Sequence, residues 1–245
     1  TTINTFLSQL LTESAIESSY KSSIATIWKD RVAKHQEYTA KIPFSDFKVF
    51  DFICQNVPKN SQLQVSNSSA IRYLQLFDLD KSIQVFCNRG TSGIDGSTST
   101  AIGAALASDL PTMLITGDIS FLYDSNALWN NYIPTTFKII LLNNSGGGIF
   151  RILPGHQETE TFNTYFETSH QLNALHLAKM YGFDYYTATD EDSLKTSYKS
   201  FLNQNNKPCI LEIFTPEKSN NKILLDFFEA LKKYFLIKTI VKKNV

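Results

Sequence analysis

The sequence predicts an α/β protein, a mostly parallel sheet with helices on both faces. Three observations carry this. Short apolar runs recur from about Phe44 onward, helix-length segments separate them, and 245 residues suffice to bury a substantial core. The first run, Gln62–Ser66, leads through Asn67 into a predicted helix, Ser68–Phe77. A second strand, Ile83–Cys87, precedes a glycine-rich turn and a small-residue helix, Ser97–Ser108, whose Ala101, Gly103, Ala104, Ala105 and Ala107 allow tight packing. Thr112–Thr116 ends at Gly117-Asp118 and feeds a helix over Ser120–Tyr132. Lys138–Leu142 ends at Asn143-Asn144 and a glycine run. Helix Gln171–Tyr181, strand Asp184–Thr187, helix Asp190–Asn203, strand Cys209–Phe214 and helix Lys222–Leu236 complete the alternation. Ahead of it, residues 1–41 are polar and helical in character, without glycine, their apolar residues (Phe6, Leu10, Ile16, Ile24, Trp28) spaced apart.

Composition removes several function classes. The chain has 23 basic and 23 acidic residues, which argues against a nucleic-acid binder acting through a general positive field. No apolar stretch reaches the length of a membrane span, so membrane contact is not indicated. Cys54, Cys87 and Cys209 fit no zinc or disulfide pattern, and a reducing cytoplasm is the expected location. The N-terminus has no basic start followed by an apolar core, so no signal peptide is expected. The absence of an initiator methionine leads us to expect a processed or truncated chain. The lysine-rich end, with Lys238, Lys242 and Lys243, reads as a solvated tail.

The chemistry concentrates where strands end. Gly117-Asp118 closes one apolar run, and Asn143-Asn144-Ser145-Gly146-Gly147-Gly148 closes the next. Ligands of parallel sheets bind beyond the carboxyl ends of the strands, so position and residue type agree. Asp118 offers a carboxylate, Asn144 an amide oxygen, and the backbone near Gly146 a carbonyl. Three such oxygens suit Mg²⁺, whose octahedron phosphate oxygens and water would complete. Glycines let the backbone approach a diphosphate without a Cβ in the way. A second group is Asn88-Arg89-Gly90-Thr91-Ser92-Gly93-Ile94-Asp95-Gly96. A third is Asn67-Ser68-Ser69-Ala70-Ile71-Arg72, where Ser68 and Arg72 stand one helical turn apart and could clamp a carboxylate.

Together these groups resemble the 2-succinyl-5-enolpyruvyl-6-hydroxy-3-cyclohexene-1-carboxylate synthase (MenD) family of thiamine-diphosphate enzymes, over roughly Phe44 to Phe214. The Gly-Asp and Asn-Asn pairs mark only the broad superfamily. The run Asn88–Gly96 and the extension Ser120-Phe121-Leu122-Tyr123-Asp124 are more specific. The resemblance implies a helical tail of a preceding central domain over 1–43 and a diphosphate- and Mg-binding domain over 44–245. It implies thiamine diphosphate held with Mg²⁺ (or Mn²⁺) through Asp118, Asn144 and the Gly146 carbonyl, with Gly93, Ile94, Gly117, Ile119 and Ser120 around the cofactor. Ile94 would be the wedge that bends it. Ser68, Arg72 and Arg89 would bind substrate carboxylates, and Ile149, Phe150 and Leu153 would form an apolar wall. The implied reaction, in menaquinone biosynthesis, decarboxylates 2-oxoglutarate and adds the succinyl carbanion equivalent to isochorismate. The family's pyrimidine domain, with its activating glutamate, matches no segment of this sequence. Its partner-shared site implies a homodimer or dimer of dimers through that domain. The face around Ile94 and Ile149 is therefore expected to be open and apolar, and the isolated chain inactive.

Plainer readings stand beside these. Asp118 also suits a helix cap, Asn144 a turn, Arg89 a surface ion pair, and Ser68 with Arg72 an ordinary helix start. Ile149, Phe150 and Leu153 also read as core. His156, His170 and His176 show no metal spacing and read as structural or exposed. Two other functions remain open: another thiamine-diphosphate 2-oxo-acid decarboxylase or acetolactate-type synthase, and a non-catalytic diphosphate-binding domain. The arginines Arg72 and Arg89 weigh against the first, since a small neutral acceptor does not need two guanidinium groups.

Overall fold

The computed structural model describes residues 3, 5 and 19–243. They fall into two compact units that divide between Lys41 and Ile42. In the first unit, helix α1 (Tyr20–Thr39) is polar, and Ile24 and Trp28 are exposed. Lys34 and Lys41 both donate to Glu37 and hold its carboxyl down at about 2. Phe6, Leu10 and Ile16 lie outside the described residues.

The second unit is a six-stranded parallel sheet with helices packed on it. Its elements are α2 (Asp46–Asn56), β1 (Gln62–Val65), α3 (Ser69–Leu74), β2 (Gln84–Cys87), α4 (Ser97–Ala107), β3 (Thr112–Gly117), α5 (Asp118–Tyr123), β4 (Lys138–Asn143), α6 (Leu175–Tyr181), β5 (Asp184–Ala188), α7 (Glu191–Asn203), β6 (Cys209–Phe214) and α8 (Asn220–Lys243). The strand order is β2-β1-β3-β4-β6-β5, with every pairing parallel. Strands β3 and β4 are buried along nearly their whole length because both sheet faces are covered, which is why they read as continuous apolar runs. Leu114, Ile139, Leu141 and Ile210 face a cluster with Ala101 and Ile102 of α4, Phe121 of α5 and Ala178 of α6. The pleat sends Ile115, Ile140 and Leu211 the other way. There α2, α3 and α8 supply an aromatic layer in which Phe47 meets Tyr73 and Phe227, and Phe50 stacks on Tyr73 at 5.3 Å.

Three expectations change in detail. The sequence reading assigned no element to residues 46–56, yet α2 is there, capped by the Ser45 hydroxyl. The single helix expected over Ser120–Tyr132 is instead α5 followed by a 3₁₀ turn, Ser125–Trp129. It breaks at Asp124, whose carboxylate accepts from the backbone and hydroxyl of Ser99 and so caps α4. The helix expected from Gln171 starts only at Leu175.

The chain leaves β1 toward β2 at one edge, then returns to β3 on β1's other side. The carboxyl ends of β1 and β3 therefore flank a topological switch point, where such sheets open a crevice.

Candidate functional site

A cavity of about 360 Å³ opens at that switch point, within the range of small-molecule sites. Ser68, Gly93, Ile94, Gly117, Asp118, Ile119, Ser120, Asn144, Gly146, Ile149 and Phe150 line it. Eleven sequence-predicted residues from four loops are thus brought together. Arg72, Arg89 and Leu153 are not in its lining. Arg72 is exposed and donates back to the Ser68 carbonyl at 2.8 Å. Arg89 donates to Asn67 Oδ1 at 3.0 Å rather than forming a surface ion pair. Leu153 is 48% exposed, so it is not core.

The loops are held by their own polar groups. Asn67, buried at the end of β1, donates through Nδ2 to the carbonyls of Asn88 and Gly93 and fastens the Gly93-Ile94 turn. The Ser120 hydroxyl donates to the Ile94 carbonyl at 2.5 Å. A Cβ at Gly93 or Gly117 would meet nothing within 4 Å, so both backbones face open space. At Gly146, φ is +154° and a Cβ would come within 2.8 Å of the Glu167 carbonyl, which leaves room only for glycine. Positive φ at the non-glycine residues Ser68, Ser92, Ser145 and Thr168 gathers strain around the same cavity.

The predicted metal donors interlock. Asp118 is 4% exposed, and its Oδ2 accepts from Gly146 N–H at 3.0 Å. Its Oδ1 accepts from Ile119 N–H at 2.7 Å. Asn144 donates through Nδ2 to Asp46 at 2.9 Å, which turns its carbonyl oxygen the opposite way. The Gly146 carbonyl accepts from Gly148 N–H at 3.0 Å across a tight turn and keeps a second lone pair. All three donors are oxygens, the hard set that Mg²⁺ or Mn²⁺ takes, and Gly117 and Gly93 leave the backbone bare beside them. The residues present therefore fit a diphosphate with a divalent cation.

Three participants escaped the sequence reading. Asp46, on α2, is 2% exposed and lines the cavity. Burial drives its carboxyl up to about 6, against the hydrogen bonds from Thr215 and Asn144. His170 places Nε2 3.3 Å from Asp118 Oδ2, and its Nδ1 accepts from Leu172 N–H. That acceptor role puts the neutral ring's proton on Nε2, facing Asp118. The carboxylate raises the histidine's pKa. Glu167, 1% exposed, takes the Arg151 guanidinium fork on both oxygens, while its carbonyl accepts from Gly147 N–H at 2.6 Å. The fork ties the 3₁₀ turn Gly148–Arg151 to the π-helical turn Phe162–Glu167. Phe166 meets Phe150 edge-on at 5.9 Å over the cavity. No local pattern marks Asp46 or His170, whose partners lie on distant segments.

Residues 67–213 match the family described as thiamine pyrophosphate enzyme, C-terminal TPP binding domain. The chain is similar to the 2-succinyl-5-enolpyruvyl-6-hydroxy-3-cyclohexene-1-carboxylate synthase of Flavobacterium psychrophilum, 64% identical over 217 residues, which are 89% of this chain and 39% of that protein. The synthase of the same name from Flavobacterium johnsoniae is 60% identical over 229 residues, 93% of this chain and 41% of the relative. The chain thus spans about two fifths of these relatives' length. Benzoylformate decarboxylase from Polynucleobacter necessarius shares the fold, with a TM-score of 0.58 at 19% identity over 73% of this chain and 34% of that one. Its switch-point cavity, its glycine turns and its match over more than half its length agree: the chain belongs to the thiamine pyrophosphate enzymes, through their C-terminal TPP-binding domain.

Proposed function

We propose that this chain is the diphosphate- and metal-binding part of a thiamine-diphosphate-dependent synthase that joins a succinyl unit from 2-oxoglutarate to isochorismate. The observation that carries it is the convergence of Asp118, Asn144 and Gly146 on one cavity at the switch point. The 64% and 60% identity to synthases of that name supports the substrates. Thiamine diphosphate, when bound, supplies the electron sink for decarboxylation and carbon–carbon bond formation. The chain's own residues do the rest. Asp118, the Asn144 amide oxygen and the Gly146 carbonyl hold Mg²⁺ or Mn²⁺ against the diphosphate. Gly93 and Gly117 admit the cofactor closely, and Ile94, supported by Ser120 and Asn67, shapes the cavity beside it. Ile119, Ile149 and Phe150 keep water from the reacting end. Ser68 meets substrate carboxylates at the cavity, while Arg72, Arg89 and Leu153, outside its lining, would reach substrate only by side-chain movement.

Exposed Tyr123, Tyr165 and Phe166 also line the cavity, and an open apolar rim suits a second domain closing over it. We assign that closure to a pyrimidine-binding domain in a homodimer or dimer of dimers, with residues 1–43 belonging to the preceding domain. Three free cysteines suit a reducing cytoplasm, and among the described residues no helix is long and apolar enough to cross a membrane.

The test is calorimetric titration of thiamine diphosphate into the chain with and without Mg²⁺, beside Asp118→Asn. Mg²⁺-dependent binding, weakened at least about 10-fold in the variant, is expected. Binding that ignores Mg²⁺, or that the variant retains in full, would overturn the metal assignment.

A further inference from the structure

We infer that Asp46 is a positioning residue that fixes which end of the Asn144 amide faces the cavity; this rests on the metal-binding reading above. A side-chain amide has two nearly isosteric ends, and only its oxygen can ligate a cation. Rotated by half a turn, Asn144 would aim N–H groups at the metal. Asp46 Oδ2 accepts from Asn144 Nδ2 at 2.9 Å. An ionised carboxylate accepts only, so it admits one orientation of the amide and rejects the other.

Asp46 is itself held on several sides. The Thr215 hydroxyl donates to its Oδ1 at 2.5 Å, and its own N–H donates to Asn220 Oδ1 at 2.9 Å. Asn220 Nδ2 reaches the Pro216 carbonyl at 2.9 Å, and Thr215 N–H donates to the Asn143 carbonyl at 3.0 Å. The start of α2, the ends of β4 and β6 and the start of α8 are thus tied together around Asp46. A side chain with one role is rarely so over-determined, and metal ligands are commonly oriented by such outer partners.

The siting is costly for a purely structural residue. Asp46 is buried, and among the described residues no cation pairs with it. Asp118 adds a second negative charge to the same cavity wall. An uncharged acceptor would fill the space at less cost, so a carboxylate here is explained by what it does to Asn144.

The experiment measures the Mg²⁺ concentration that half-saturates thiamine-diphosphate binding, by calorimetry, in the wild-type chain, Asp46→Ala, Asp46→Asn, Asn144→Ala and the Asp46→Ala/Asn144→Ala double variant. Circular dichroism checks that each is folded. Asp46→Ala should raise that concentration 10- to 100-fold. Asp46→Asn can present Asn144 either an oxygen or an N–H, no longer rejects the flipped amide, and should raise that concentration by a comparable factor. In the Asn144→Ala background, removing Asp46 should add almost nothing, because the two act as one unit. Unchanged Mg²⁺ dependence in Asp46→Ala, a wild-type response in Asp46→Asn, or additive losses in the double variant would overturn the inference. Failure of the wild type to bind, both as this chain and joined to a pyrimidine-binding domain, would overturn the proposed function, and this with it.

Discussion

Asp46 and Glu167 are nearly equally buried carboxylates in the wall of one cavity, at 2% and 1% exposure, yet their surroundings are opposite. Glu167 meets a guanidinium on both oxygens, and that guanidinium lies 5.6 Å over the Phe162 ring. Asp46 meets a hydroxyl and an amide. The first arrangement closes a loop and satisfies its charges internally. The second leaves its charge uncompensated and spends its hydrogen bonds on a group aimed into the site. Within one wall, then, one acid serves the scaffold and the other serves what the scaffold holds. Functional sites depart from internal consistency in this way.

The sharpest way to break the comparison is to remove the guanidinium. Arg151→Ala leaves Glu167 buried without its partner, and destabilisation of about 3–5 kcal/mol in urea unfolding is expected. Arg151→Met with Glu167→Leu should recover most of that, since an apolar pair of similar volume removes both charges. If the single variant costs under about 1 kcal/mol, the clasp is no more than a surface bridge and the contrast with Asp46 collapses.

The opposite sign is expected at Asp46. Its carboxyl titrates at about 6 in the fold against 3.8 when free, because burial disfavours the charge. A raised folded pKa contributes stability in full below about pH 4, and that contribution is lost as pH rises through 6. The interval corresponds to about 3 kcal/mol. Asp46→Asn, measured without cofactor, should therefore gain on wild type by about that amount between pH 4 and pH 7. A pH-independent difference between the two proteins would remove the claim that Asp46 is a strained charge.

The same contrast explains what was legible in the sequence. The sheet was, because β3, β4 and β6 are buried on both faces and are apolar along most of their length, which is local information. Asp118, Asn144 and Gly146, which line one cavity, were singled out because strand ends beside glycines announce a ligand turn. Helix α2 was missed although Phe47, Phe50, Ile53 and Cys54 carry a helical period, since no glycine or strand framed it. Asp46 went unread, and His170 read only as structural or exposed. Asn144 lies 98 positions from Asp46, and the histidine's identity says nothing of the Asp118 beside it. A lone acid after a serine looks like a helix start, and Asp46 does begin one.

A third buried carboxylate grades the comparison between its extremes. Glu212 of β6 is fully buried and, like Asp46, forms no salt bridge to a Lys or Arg among the described residues. It accepts instead from Asn143 Nδ2 at 2.7 Å, Ala174 N–H at 2.9 Å and Tyr185 O–H at 2.5 Å. Glu212 thus has three hydrogen-bond donors where Asp46 has two. Tyr185→Phe removes one donor and keeps the ring, so a loss of about 1–2 kcal/mol is expected, smaller than either effect above. Because Asn143 precedes Asn144, a shift of the turn proposed to bind the metal would be felt as well. Unchanged Mg²⁺ dependence in Tyr185→Phe would mark Glu212 as scaffold, with Glu167, and leave Asp46 as the acid that answers to the site.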